Sequence, residues 1–479
     1  MFFGREDDLE KLNALLGKRV ASLVTCRGRR RIGKSTLIEQ FAKNNGAVFI
    51  KIEGVRPSAT TNNAAELRSF AEQLAIQTEA ESSLPDNWLS AFKRLDREID
   101  DDCLTVVLLD EISWMGHYDD LFAETIKIAW DNMWKKHDRL VVVVCGSVSS
   151  WIRENIVDSA AFVGRRSCDL VLRELPLKEC VKFWGREVER MDVREIVDVL
   201  SVTGGVPRYL EEIDPRLSAQ ENIRRMAFSR DGVLRTDFDE MFRDVITRQP
   251  GFSGLVLRCL VDGPCSAAEV ARCLRVEKGG RVNAALVRLV EAGLVQSDKG
   301  KNPETGDELR EIRYRLSDNY SRFYLKYIEP IKDVIDRDEY EFVGLSSLEN
   351  IESVRGLAFE NLVVNNYRAL MPFLHLRGSV VLSAAPYVRK GSNAARGRQG
   401  CQVDLLIQTR KALCFVEVKH RREITREIIV EMNRKVDAVR RRPGMSVFVA
   451  LVYCGELDPL VAADGYFSAL IPFQRLLGI

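Results

Sequence analysis

Residues 21–35 read ASLVTCRGRRRIGKS, and this stretch decides the fold. A short apolar run, Ala21–Cys26, ends in Gly28-Arg29-Arg30-Arg31-Ile32-Gly33-Lys34-Ser35, and a helical pattern follows through Asn45. The octapeptide satisfies G-x-x-x-x-G-K-[ST] in full and lies between a strand and a helix, the context that confirms the motif. Its glycines let the backbone wrap phosphate oxygens, and the loop amides and helix N-terminus turn positive ends toward an anion. Lys34 is expected on the β and γ phosphates and the Ser35 hydroxyl on Mg²⁺. The predicted nucleotide-binding set is Gly28, Arg30, Arg31, Ile32, Gly33, Lys34, Ser35 and Thr36. The bland alternative is a chance glycine-rich turn.

Working outward, Leu104–Leu109 (LTVVLL) and Leu140–Cys145 (LVVVVC) are unbroken, Val-rich apolar runs. Such runs mark parallel strands covered on both faces. Further strands are expected at Val48–Ile52 and Asp169–Leu172, with helices over 60–80 and 87–99. Alternating strands and helices predict an α/β, doubly wound P-loop core over residues 1–175. Asp110-Glu111 closes the Leu104–Leu109 run, which places both acids at the carboxyl edge of the sheet. Asp110 is the expected Mg²⁺ ligand and Glu111 the catalytic acid that polarises the attacking water. A helix cap is the alternative reading of the pair. Gly146-Ser147 ends the next strand, where a hydroxyl reads the γ-phosphate or the water, or simply caps a helix. Phosphoryl transfer gains from an arginine on the developing charge. Arg165, in Gly164-Arg165-Arg166, is the candidate finger, with a solvated basic turn as an equal alternative.

Residues 176–245 change to consecutive helices around Gly204-Gly205-Val206-Pro207 and read as a helical lid, with Pro207 as a nucleotide contact. Arg5 is a second candidate contact to base or sugar. Residues 246–328 carry three short helices and a hairpin, the pattern of a winged helix, with Lys278, Arg281 and Arg288 on or near the third helix. Residues 329–350 are acidic and irregular and read as a linker. From 351 to 479 a second α/β pattern begins.

This last segment holds a second constellation. Glu360 lies on a helix, Asp404 in a strand, and Glu417-Val418-Lys419 at the end of another. Residues two apart on a strand share a face, so Glu417 and Lys419 look into one pocket. Asp404 precedes Glu417 by 13 residues, enough for a strand, a turn and the returning strand. Asp404, Glu417 and Glu360 form a candidate Mg²⁺ or Mn²⁺ site, and Lys419 is placed to steady the attacking water or the developing charge, with Glu417 and Lys419 as catalytic residues. An inactive fold is the alternative. Residues 419–442 carry nine Lys or Arg against four Asp or Glu, a stripe that suits a phosphate backbone or a solvated helix face.

Composition sets the outer limits. The chain has 479 residues, 46% hydrophobic and 29% charged, which is globular and too long for one domain. Lys plus Arg is 71 and Asp plus Glu is 70, so nucleic-acid binding must come from local patches. The 11 cysteines include no C-x-x-C pair and there are four histidines, which argues against a zinc ribbon or a disulfide scaffold and for free buried thiols. No apolar run reaches the ~18–20 residues of a membrane span. The N-terminus is charged within six residues and does not read as a signal peptide. The expectation is a cytoplasmic protein without a membrane partner.

With these residues in view, the chain resembles the prokaryotic, archaeal-type P-loop ATPases of the AAA-like and STAND-related branch. Phe3, Gly4, Arg5 and Glu6 fit their F-x-G-R-E opening. Gly28, Arg30, Arg31, Gly33, Lys34 and Ser35 fit their G-x-R-R-x-G-K-[ST] loop. Gly204, Gly205 and Pro207 fit their G-G-x-P lid, and many members end in a restriction-endonuclease-like PD-(D/E)xK domain, matched here by Glu360, Asp404, Glu417 and Lys419. Gln402 departs from the acidic residue often found before the V-D pair. The resemblance implies ATP binding and hydrolysis. The resulting expectation is an ATPase using ATP and Mg²⁺, with a second Mg²⁺ or Mn²⁺ in the C-terminal domain, that couples nucleotide state to DNA binding or cleavage. DNA is carried as a candidate partner and a homo-oligomer as a candidate state. The alternatives are a nucleotide-dependent switch or scaffold with an inactive C-terminal domain, and a regulator acting through the winged helix.

Overall fold

A computed structural model describes residues 2–80, 82–147, 149–245, 250–277, 279–376, 378–389 and 400–479. The chain falls into two compact units, Met1–Glu174 with Met241–Arg248, and Leu175–Glu240 with Gln249–Ile479.

The first unit is built on five parallel strands: β1 (Ser22–Arg27), β2 (Val48–Glu53), β3 (Thr105–Asp110), β4 (Leu140–Gly146) and β5 (Arg166–Val171). Their order is β2-β3-β4-β1-β5. The Val-rich runs explain why the sheet is covered on both sides. Val107, Leu109, Val142 and Val144 pack with Phe70, Trp88, Phe92 and Trp134 on one face. Their neighbours Val106, Leu108, Val141 and Val143 pack with Leu12, Leu37 and Phe41 on the other. Alternate residues of a strand point to opposite faces, so only an apolar residue at every position satisfies both layers. Each such side chain contributes roughly 1.5–3 kcal/mol when fully buried. The expected helices appear as Asn63–Gln77 and Trp88–Arg97, and the fifth strand begins three residues earlier than Asp169.

The second unit holds two more sheets. A small antiparallel one joins β6 (Cys265–Ser266), β7 (Val295–Asp298) and β8 (Arg313–Leu316) in the order β6-β8-β7, beside helices Pro250–Arg258, Ala267–Cys273 and Gly280–Glu291. The larger sheet is mixed: β9 (Val381–Arg389), β10 (Cys401–Thr409), β11 (Ala412–Ile424), β12 (Ser446–Leu457) and β13 (Ala469–Pro472), in the order β13-β12-β11-β10-β9. β9, β10 and β11 are antiparallel neighbours, and β11, β12 and β13 are parallel. The helices after residue 175 share its core: Trp184, Ile196 and Leu200 cluster with Phe359, Leu405 and Val416. Residues 329–350 include the helix Lys332–Asp336, and Phe342 stacks on Phe228 with ring centroids 4.7 Å apart.

Buried polar groups tie the small sheet to the helix Ile351–Asn365. The Arg315 guanidinium donates to Asn361 Oδ1 and, at 3.2 Å, to Asn365 Oδ1 and Asp298 Oδ2. Asn361 Nδ2 donates onward to Leu316 O and Asn319 Oδ1, both at 2.9 Å. At the hairpin tip, Arg442 Nε donates to Glu304 O at 3.1 Å, its Nη2 donates to Thr305 O, and its backbone N–H reaches Pro303 O. Arg281 lies over the Phe252 ring at 4.0 Å, and Lys278 falls outside the described residues. One cysteine expectation is corrected. The turn between two helices brings Cys259 and Cys273 together as a disulfide, 6.4 Å between Cα atoms, while nine other cysteines are free thiols.

Candidate functional site

The glycine-rich loop follows β1 and ends in the helix Lys34–Asn44. Gly28 has φ +155°, and a Cβ there would sit 2.6 Å from Leu172 O, so only glycine lets the loop leave the sheet beside β5. Gly33 caps the helix with φ 83°. Arg31 also adopts positive φ, at 68°. Lys34 is buried, and its ammonium donates to Gly28 O and Arg29 O at 3.1 Å each. The lysine therefore lies inside the curve of the loop, where it can meet an anion cradled by the amides. Ile32 is fully buried and anchors the loop in the core, and Thr36 is exposed on the first helical turn.

β4 stands between β1 and β3, so the end of β4 separates the loop from the acidic strand end. The Ser35 hydroxyl still reaches across and donates to Asp110 Oδ2. The hydroxyl and carboxylate expected to ligate Mg²⁺ thus lie side by side, a hard oxygen pair suited to that ion. Asp110 is buried and has a second neighbour, Lys51 Nζ at 3.5 Å, that the sequence did not point to. Burial works against the Lys51 charge, but Asp110 and Glu53 outweigh it and hold the ammonium above its ordinary value. Glu111 turns sharply out of β3 in a left-handed conformation, φ 48°. Its Oε2 accepts two hydrogen bonds, from Ser147 N at 3.1 Å and Ser147 Oγ at 2.9 Å. Lys34, Ser35, Asp110, Glu111 and Ser147 are therefore assembled at one edge of the sheet.

Two expectations change. Arg165 immediately precedes Arg166, which pairs with Leu23 near the start of β1, whereas the loop leaves the far end of that strand. At ~3.3 Å per residue the two lie on opposite edges of the sheet. Arg165 instead grips Asp131 through Nε and Nη2, both at 2.8 Å, and Ala161 O at 2.9 Å. It is not a finger for the nucleotide loop of its own chain. Arg5 braces the loop rather than facing a base, since its guanidinium donates to Ile32 O at 2.9 Å and Arg173 O at 2.7 Å. Pro207 lies in the second unit, where it opens the helix Pro207–Leu210 after Gly205, whose Cβ would meet Leu175 O at 2.6 Å.

In the second unit, Glu360, Asp404, Glu417 and Lys419 line one pocket of about 440 Å³. The β10–β11 register pairs Leu405 with Val416, which sets Asp404 and Glu417 on adjacent strands. Asp404 Oδ2 accepts the Val418 amide at 2.9 Å. Glu417 is fully buried, and two ammonium groups, Lys419 Nζ and Lys435 Nζ, lie 2.6 Å from its Oε1. Burial, then Asp404, pushes the Glu417 carboxyl up to about 7 against the pull of both lysines. Burial, then Glu360, pushes Asp404 up to about 6. Burial and Glu417 raise Glu360 as well. Mutual repulsion in a buried space is what a cation relieves, and Glu417 Oε2 is buried without a hydrogen-bond partner, so the donor set fits a divalent ion. As they stand, however, no three His, Cys, Asp or Glu side chains among the described residues converge within metal-holding reach. The structure brings the candidate ligands Glu360, Asp404 and Glu417 to one pocket, with the ammonium groups of Lys419 and Lys435 seated on Glu417. Lys435 and Glu431 were not predicted. Their i,i+4 spacing on the helix Glu427–Ala438 is the signal that carries them, and Lys435 Nζ lies 3.0 Å from Glu431 Oε1.

Comparison with known proteins agrees with this geometry. Residues 2–213 match the family model of an ATPase domain predominantly from Archaea. An uncharacterized protein of Methanocaldococcus jannaschii is 23% identical over 435 residues, covering 88% of this chain and 87% of its own. Among solved structures, a Walker-type ATPase of Pyrococcus abyssi matches with a TM-score of 0.50 at 15% identity, covering 68% of this chain and 96% of its own. The latter likeness shows the fold alone. No helix among the described residues is long and apolar enough to cross a membrane. Residues 2–213 thus match an archaeal-type ATPase domain model, which supports nucleotide binding and hydrolysis, and the solved structure shares their fold.

Proposed function

We propose that the protein binds and hydrolyses ATP with Mg²⁺ at the Gly28–Thr36 loop and couples nucleotide state to DNA binding or Mg²⁺-dependent DNA cleavage by its C-terminal domain. The observation that carries the first half is the joining of Ser35 and Asp110 beside Lys34, with Glu111 held by Ser147. Lys34 neutralises phosphate oxygens, Ser35 and Asp110 hold the ion, and Glu111 orients the attacking water. Mg²⁺ bound there supplies neutralisation of the charge that develops on the transferred group. In this reading residues 246–328 form a winged helix and residues 351–479 a PD-(D/E)xK-like domain. Support for the latter is the shared pocket of Glu360, Asp404, Glu417 and Lys419. Steady-state turnover of ATP by wild type and Lys34→Ala tests the first half. Cleavage of single- and double-stranded DNA with Mg²⁺ or Mn²⁺, by wild type and Lys419→Ala, tests the second. Absence of cleavage by wild type removes the nuclease.

A second reading is a nucleotide-dependent switch or scaffold whose C-terminal domain binds without cutting. The pair of lysines on Glu417 Oε1 favours it, because they neutralise the carboxylate without a metal. Slow turnover, copurifying ADP and a nucleotide-dependent change of oligomeric state would mark it.

A further inference from the structure

The ion pairs of the C-terminal pocket are unevenly arranged. Two ammonium groups crowd Glu417 Oε1, at 2.6 Å each, while Oε2 of the same fully buried carboxylate accepts no hydrogen bond from any described residue. A purely structural lock would spread its donors over both oxygens, because an unsatisfied buried acceptor is costly. Both lysines also touch Glu431 Oε1, Lys419 at 3.1 Å and Lys435 at 3.0 Å. Glu431 is partly exposed at the pocket wall, so it is a second seat for the same charges. The lysines differ in how they are held. Lys419 projects from β11, two residues beyond Glu417, whereas Lys435 projects from a helix one turn beyond Glu431. A change of side-chain rotamer carries Lys435 wholly onto Glu431 without moving backbone.

We propose that Lys435 is the resident counter-ion of the Asp404–Glu417 pocket, that a divalent cation binds there by displacing its ammonium, and that Glu431 receives the displaced charge. The proposal rests on the reading of this pocket as a divalent-cation site. A cation entering between Asp404 and Glu417 meets repulsion from both ammonium groups on Glu417, and Lys435, with its second seat one turn away on its own helix, is the one that relieves it by leaving. Lys435 is then a positioning residue that gates the site.

The test is Mn²⁺ binding to the nucleotide-free full chain, followed by electron paramagnetic resonance of free Mn²⁺, with Glu417→Gln as the blank for other Mn²⁺ sites. Lys435→Gln is expected to tighten the Kd for Mn²⁺ by about tenfold, the scale of an ordinary coupling between sites. Glu431→Gln, which removes the second seat, is expected to weaken it. Thermal melts check that each variant folds. An unchanged or weaker Mn²⁺ affinity in folded Lys435→Gln overturns the proposal. Should that variant not fold, unchanged or tighter binding by Glu431→Gln overturns it alone. Tighter binding by Lys435→Gln together with no DNA cleavage by any variant keeps the gate and removes the nuclease reading.

Discussion

Ser147 holds Glu111 twice, through its backbone amide at 3.1 Å and its hydroxyl at 2.9 Å, and both bonds fall on the same oxygen, Oε2. The end of β4 thereby aims the acid that closes β3. Glu111→Gln should lower kcat for ATP by ~10²–10⁴-fold, the usual worth of a general base, while nucleotide still binds. Ser147→Ala keeps the amide bond, and a fall of about threefold to tenfold in kcat with unchanged KM is expected. Turnover assays with parallel binding isotherms separate the two effects.

Lys34 is buried against the carbonyls of Gly28 and Arg29. Lys34→Ala removes the single ammonium in the curve of the loop. Affinity for ATP should fall by roughly 10–100-fold, the worth of a charge-assisted contact, as read by calorimetry. An unchanged Kd would refute the placement of the phosphates.

Arg165 is committed to Asp131 at the edge of the sheet away from the loop. Arg165→Ala should leave kcat for ATP in dilute, monomeric protein unchanged and should lower the melting temperature. A large loss of turnover in that sample would return Arg165 to the chemistry.

Glu66 gives a pH test of the first unit. Its side chain is buried, Oε2 accepts the Val55 amide at 3.1 Å, and Oε1 is buried without a partner. Burial pushes the carboxyl up to about 7 from an ordinary 4.5, against the lowering effect of the Val55 bond. The folded state therefore binds the proton more tightly than the unfolded chain. This contribution to stability is full below about pH 4.5, declines as pH rises, and is lost above about pH 7. Denaturant titrations of wild type should show that decline relative to Glu66→Gln, which carries no titrating group there.

What the sequence made legible is what is local. Gly28–Ser35 lie in one loop, and their roles need only the strand before them and the helix after. Asp110 and Glu111 follow from a single apolar run. Arg165 was misplaced because strand order and direction, and not distance along the chain, decide which edge of the sheet a turn occupies. β9 escaped notice because Val381–Arg389 lacks a clean alternation and is half-buried. The i,i+4 spacing of Glu431 and Lys435 marks that pair, but the tie of Lys435 to the pocket is not legible, for a third reason. Its partner Glu417 is 18 residues away, and only the docking of the helix Glu427–Ala438 onto β11 joins them.

The Arg315 network has a practical bearing on any attempt to dissect the second unit. A cut anywhere between residues 317 and 350 would strand a guanidinium on one fragment and its amide acceptors, Asn361 and Asn365, on the other. Neither piece would then be a natural product of trimming, and a protease would find no clean seam at the place where the sequence looks most like one.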